Sequence, residues 1–345
     1  MSDAMDDAQE MVTYEELANL ECEFDDLDVE IIRKQYFLSK PLYAKRKAAV
    51  AKIDGFWPLV LEESPQEIDR YIQPSDSEIF ASSLKSIEVD RFELTSESDD
   101  TVGDPRSVSI KFEFSENEWF SDRVLEKRFW WRRASDGWTG LVSEPVNVSW
   151  RKGKDPTKGL MDGAVKLWQA RKQNGDMQKR DLPEFDHMAK ITQTWNGDNT
   201  SFFTWFAFVS SRRWVSQEES SAAVQAEKER RKRASQGLED GPTQLPEDDQ
   251  LEKQVEAHED GDTLATILAE DLWPGAIKYF TQAQEAAVLS DEEFEEDDED
   301  EDEDEDESGN EGELVDLRKL AQGVDSDGIV DASNGGQPPR KKRKA

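Results

Sequence analysis

Residues 291–307 cannot build a core. Sixteen of the seventeen are Asp or Glu, and Phe294 is the exception. Such a run has almost nothing apolar to bury, and its charges repel one another. Fully extended, it carries one negative charge per ~3.5 Å, close to the ~3.4 Å spacing of phosphates along one DNA strand. It offers a DNA-like line of charge to a strongly basic partner; its plainer role is that of a solubilising tail. The formal net charge is −36 over 345 residues, so the rest of the chain is acidic too. A field of that sign attracts cations and repels nucleic acid. This argues against direct DNA binding by most of the protein.

Elsewhere, 11 Trp and 15 of the 16 Phe supply material for a core. The single cysteine, Cys22, permits no intramolecular disulfide and fits a reducing compartment. No apolar stretch approaches the ~18 residues of a membrane span, and the acidic N-terminal decapeptide does not read as a signal peptide. Catalytic chemistry is thinly supplied. The two histidines, His187 and His258, sit in polar stretches and read as solvated loop residues. No CxxC, HExxH, GxGxxG or Walker-type phosphate loop occurs, so zinc, dinucleotide and nucleotide-phosphate chemistry lack their usual anchors. Acids are too abundant to single out a catalytic pair. The expectation is a protein without cofactor, metal or enzymatic activity.

Residues 13–53 read as one long helix. Leu17, Leu20, Phe24, Leu27 and Ile31 alternate spacings of three and four, a heptad seam that Leu38 continues. Thr13 and Glu16 resemble a capping box. Pro41 lacks an N–H and is expected to kink the helix or remove one hydrogen bond. Forty residues make a rod of ~60 Å. Its apolar stripe needs a partner, either the chain's own domain or a second copy, and its length favours a helical homodimer. Short helices are expected near 58–73 and 75–82. Period-two alternation marks 107–114 as a strand, with 84–94, 123–133 and 146–150 as its companions. Short links imply an antiparallel meander with helices over one face.

Residues 151–200 read as polar, apart from a helical patch at 165–170. Ser201–Phe208 is a dense aromatic cluster. Residues 216–262 read as disordered or as a solvated helix, and include the basic patch Lys228–Arg233. Order returns over 263–281, with Pro274 in the first turn of a new helix, and disorder is expected beyond 285. The cations Arg340, Lys341, Lys342, Arg343 and Lys344 read as a nuclear import signal or as a plain solvated end.

Several pieces then stand in a familiar order. Gln35-Tyr36 through Lys40-Pro41 and Lys45-Arg46 lead to Ala51-Lys52-Ile53 and Phe56-Trp57. Ile110-Lys111-Phe112 precedes Glu116-Asn117-Glu118-Trp119-Phe120. Trp150-Arg151-Lys152-Gly153-Lys154-Asp155 is followed by Ser201-Phe202-Phe203-Thr204-Trp205-Phe206. Asp271-Leu272-Trp273-Pro274 and Tyr279-Phe280 close the set. Together with the acidic tail they resemble the nucleosome assembly protein family, specifically its SET (template-activating factor) branch, over about 15–285.

The resemblance implies an α+β fold. A long dimerisation helix (13–54) would pair antiparallel with a second copy. It would carry an "earmuff" domain (55–285), an antiparallel sheet packed with helices. Polar insertions are expected near 159–200 and 209–262. Residues 1–12 and the acidic tail, 286–345, are expected to be disordered. The implied function is that of a histone chaperone. It would bind core histones, shield their DNA-contacting surfaces and support ATP-independent assembly and disassembly of nucleosomes. It would work in the nucleus, shuttling with the cytoplasm, with a histone acetyltransferase as a further partner. Candidate binding acids on the domain are Glu116, Glu118, Asp122, Glu270 and Asp271. In the tail they are Asp291, Glu292, Glu293, Glu295, Glu296, Asp297, Asp298, Glu299 and Asp300. The alternatives are an acidic scaffold for a histone-modifying enzyme and a transport adaptor for another basic nuclear cargo.

Overall fold

A computed structural model describes residues 14–96, 103–194, 201–234 and 252–297. The chain divides into two units, Met1–Glu292 and Glu293–Ala345. Of the second, only the helical residues 293–297 are described.

Helix α1 spans Tyr14–Val50 and keeps Pro41 inside it. Three short helices follow: α2 (Phe56–Glu62), α3 (Gln66–Asp69) and α4 (Pro74–Ser83). Gly55 makes the sharp turn into α2 with φ 73°, a left-handed conformation that costs glycine little. Four strands then form an antiparallel meander in the order β1-β2-β3-β4. They are β1 (Leu84–Asp90), β2 (Val108–Phe114), β3 (Val124–Arg133) and β4 (Thr139–Ser143). On β2, Ile110, Phe112 and Phe114 point into the core while Lys111 and Glu113 face out, as the period-two pattern requires.

The fourth strand is not at 146–150, where the sequence reading put it. Asp136-Gly137 closes a tight turn directly after β3, so Thr139–Ser143 pairs with Phe129–Arg133. Pro145 lacks an N–H, and the chain beyond it leaves the ladder. The Val146 N–H donates to the Phe206 carbonyl, and Trp150 bridges to Phe120.

The aromatic cluster is the centre of the core. Residues 202–207 form a 3₁₀ turn in which Phe202, Phe203, Trp205 and Phe206 are fully buried. Phe112 and Phe129 of the sheet pack edge-on or stacked against these rings. Two buried charges clamp the segment. At its start, Asp76 accepts from the Ser201 hydroxyl (2.6 Å) and the Phe202 N–H (2.7 Å). At its end, the Lys127 Nζ donates to the carbonyls of Phe206 (3.0 Å), Phe208 (2.9 Å) and Glu144 (3.1 Å).

Both segments expected to be polar insertions contain packed helices. Helices α5 (Leu160–Asn174) and α6 (Pro183–Thr194) bury Leu160, Met161, Leu167, Phe185 and Met188. Gly163 lets them approach, since a Cβ there would sit 3.0 Å from the Met188 sulfur. In the second segment, Val215 joins Ala134 and Val142 in a small core beside Trp130, Trp138 and Trp214. Helix α7 (Gln217–Ala234) then packs on β3, where the Ser220 hydroxyl accepts the Arg133 N–H. Helix α8 (Gly261–Ile267) runs through a π-turn (Leu268–Leu272) toward α9 (Ala276–Asp297). Disorder was expected beyond 285, yet α9 continues through Asp297, into the acidic run. Asp298, Glu299, Asp300 and the cations at 340–344 lie outside the described residues.

Candidate functional site

The rod has two chemical faces. Leu17, Leu20, Phe24, Leu27, Ile31, Leu38 and Leu42 are 49–72 % exposed, a continuous apolar seam on one side. A neighbouring face is pinned to the domain. The Arg46 guanidinium lies over the rings of Tyr43 (4.8 Å) and Trp273 (4.5 Å) and donates to the Trp273 carbonyl (2.5 Å). The π-turn makes this possible: the extra residue swings Trp273 onto the rod and aims its indole N–H at the Ile87 carbonyl (2.9 Å). Charge is also segregated along the rod. Residues 14–32 hold eight acids and no cation, and residues 33–50 hold six cations and no acid. That polarity suits the helix dipole at both ends. It also makes the antiparallel pairing of two such rods attractive and the parallel pairing repulsive.

The candidate acids of the domain do not form one patch. Glu116, Glu118 and Asp122 follow β2, whereas Glu270 and Asp271 lie beside the far end of β1, so the two groups flank opposite ends of the sheet. Most are already engaged. Asp122 accepts from the Ser149 N–H (2.6 Å) and caps that loop. Glu118 pairs with Lys154 (2.8 Å), Glu116 with Arg123 (3.7 Å) and Glu270 with Arg91 (3.2 Å). Asp271 accepts from the Tyr279 hydroxyl (3.0 Å). The pairs of Glu116, Glu118 and Glu270 are exposed and exchange partners at little cost. Asp122 and Asp271 are holding the fold.

A second acidic group escaped the sequence reading. Glu256, Glu259, Asp260 and Asp262 crowd the start of α8, against which α3 packs with Glu67 and Asp69. Burial, then the neighbouring Glu259, pushes the Glu256 carboxyl up to about 8. Within this loop His258 is not a solvated residue. It is 4 % exposed and its ring sits 4.4 Å from that of Tyr71, whose hydroxyl donates to Asp260 (2.6 Å). Burial lowers the His258 imidazole to about 4. His187 is exposed, but on α6 rather than a loop.

These shifts set opposite pH limits. Between pH 4.5 and about 8 the folded protein keeps the Glu256 proton that the unfolded chain releases, so stability falls as pH rises through that window. Between 6.5 and about 4 the unfolded chain protonates its histidine while His258 stays neutral, so stability falls on acidification. The His258 part is up to about 3 kcal/mol. Glu256→Gln is therefore expected to raise Tm at pH 9 and to change it little at pH 4. His258→Phe should flatten the loss between pH 6.5 and 4. Thermal denaturation across pH checks both.

The basic patch finds a partner inside the chain. Arg231 on α7 reaches Asp26 on the rod (3.3 Å), and Glu227 bridges Arg133, Arg230 and Arg231. Helix α7 is thus a strut between the sheet and the acidic half of α1. Among the described residues no group of His, Cys, Asp and Glu could hold a metal ion, and no helix is long and apolar enough to cross a membrane.

A polar-faced α+β domain on a seam-bearing rod, leading into a polyacidic run, defines a class: acidic binding modules for basic partners. The chain belongs to the nucleosome assembly protein (NAP) family, whose model matches residues 5–283. It is 31 % identical over 290 residues to a Schizosaccharomyces pombe protein described as a nucleosome assembly protein, covering 81 % of this chain and 84 % of that one. It is 27 % identical to vacuolar protein sorting-associated protein 75 of Saccharomyces cerevisiae, covering 92 % and 94 %. Among solved structures it is similar to Ccp1 (26 % identity in the mutant form, TM-score 0.45, 80 % of this chain and 97 % of that one).

Proposed function

We propose that this protein is a histone chaperone that works as an antiparallel homodimer. The observation that carries the reading is the family match over residues 5–283, and the charge pattern supplies a mechanism. Two rods pair through their seams and set two acidic domains at fixed positions. Core histones bind the domains through exposed acids, with Glu116, Glu118 and Glu270 joined by Glu67 and Glu259. The run at 291–307 covers the DNA-contacting surface that remains. Its single line of charge matches one DNA strand, whereas duplex DNA offers two. DNA therefore takes the histones over without ATP, and no catalytic step or cofactor is required. This work belongs in the nucleus. The cations at 340–344 are proposed as the import signal and allow shuttling. A histone acetyltransferase is a proposed further partner.

The test compares the full chain with a variant lacking 291–307, titrated with each core-histone complex over a range of salt. Loss of the run is expected to weaken binding by about tenfold at physiological salt and to flatten the salt dependence. Stoichiometric binding by the folded part should persist. Unchanged affinity would reduce the run to a solubility device.

A further inference from the structure

A groove of about 850 Å³ runs between the basic half of the rod and strand β1. Its wall extends from Ile32 on α1 to Ala51 just past the helix end, and its floor includes Lys85 to Asp90 of β1, with Lys111 and Glu113 of β2. Links cross it: Tyr36 donates to Asp90 (2.7 Å), and Lys47 pairs with Glu88. Six cations line it against four acids, an inversion of sign in a chain of net charge −36. Such a groove selects an acidic occupant.

The dimer proposed above says which one. The seam runs from Leu17 to Leu42, so its centre falls between residues 29 and 30. Antiparallel pairing about that centre sets the second copy's Tyr14 opposite Lys45. At 100° per residue, Ser39, Tyr43 and Tyr36 in the groove lie about 80°, 120° and 140° from the middle of the seam. The second copy's residues 1–13 therefore begin beside the groove's mouth at Arg46 and Lys47. They carry Asp3, Asp6, Asp7 and Glu10 and no cation. Thirteen extended residues span up to ~45 Å, enough to follow the ~30 Å wall. The chain's own residues 1–13 start ~27 Å from the wall's near end at Ile32 and ~48 Å from Arg46, so they reach the near end but not Arg46 or Lys47.

We infer that the groove seats the acidic N-terminal arm of the second copy, so that each domain of the dimer is completed in trans. Asp3, Asp6, Asp7 and Glu10 meet the exposed ammonium groups of Lys47 and Lys85, with Lys111 further along the floor. The arm thereby neutralises the groove and keeps it from anionic ligands. This rests on the antiparallel dimer proposed above.

The test uses full-length dimers mixed from isotopically light and heavy chains and treated with a zero-length carbodiimide cross-linker. Mass spectrometry then reads light–heavy links. Rod-to-rod links between acids at 21–30 and lysines at 34–47 report the antiparallel dimer itself. Arm-to-groove links from residues 3–10 to Lys47, Lys85 or Lys111 report the arm, and they are expected between chains only. In the full-length variant Asp3→Asn, Asp6→Asn, Asp7→Asn and Glu10→Gln, acetylation of Lys85 should become severalfold faster. Rod links without arm links, or unchanged Lys85 reactivity, overturn the arm and leave the dimer standing. Missing rod links overturn both. Arm links within one chain, or Lys85 protection only on adding histones, overturn the exchange in trans.

Discussion

Phe24→Asp combined with Leu27→Asp yields a folded monomer. Both side chains are more than half exposed in the single chain, so the substitution removes no packing from the domain. In the dimer each change occurs twice. Each apolar side chain of this size contributes ~1.5–3 kcal/mol on burial, and the four introduced carboxylates must also be desolvated in the apolar seam. The combined loss is at least ~6 kcal/mol, on the order of 10⁴-fold in the dimer Kd. Sedimentation equilibrium reads it, with circular dichroism to show that the domain stays folded. A variant that remains a dimer at micromolar concentration removes the seam from the interface.

The second large effect lies in the core. Lys127 occupies an inward position of β3, where alternation calls for an apolar residue, and it is fully buried. Its ammonium donates to three carbonyls from two segments, and burial holds its pKa well below the ordinary lysine value. Lys127→Ala removes three hydrogen bonds: the Phe208 carbonyl loses its donor at ~1–3 kcal/mol, the Phe206 and Glu144 carbonyls keep the Val146 N–H and the Ser143 hydroxyl, and a void opens between β3 and the aromatic segment. We expect a loss on the order of 3–5 kcal/mol and a fall in Tm of roughly 10 °C. Lys127→Met fills the void but restores no donor, so it should recover only part of the loss. If Lys127→Met is as stable as the native protein, the three hydrogen bonds do not hold the segment.

These residues show where sequence reading reaches and where it stops. The rod, the strand β2 and the aromatic segment were legible because a single period or a dense run of rings specifies each. Helices α5 and α6 were not. Their buried faces are short, as in Phe185 and Met188 on α6, and charged residues dilute the pattern. The fourth strand was misplaced because the Val-x-Val alternation at 146–148 outweighed the Asp136-Gly137 turn signal. The turn fixes the register locally, and the later segment lost its place in the sheet at Pro145. Lys127, Asp76 and His258 carry no sequence signal of burial; their partners are backbone groups or rings brought together only by folding. The acids at 256–262 were visible as composition, but their crowding against α3 was not. The charge reversal along the rod also lies in the sequence but went unread there, and it bears most directly on pairing.

The decisive measurement is sedimentation of the full chain with purified core-histone complexes at physiological salt, followed by a challenge with naked DNA. The account predicts a stoichiometric complex of the dimer with histones, which yields its histones to DNA without ATP. No complex at physiological salt, or a complex that DNA cannot draw down, would contradict it.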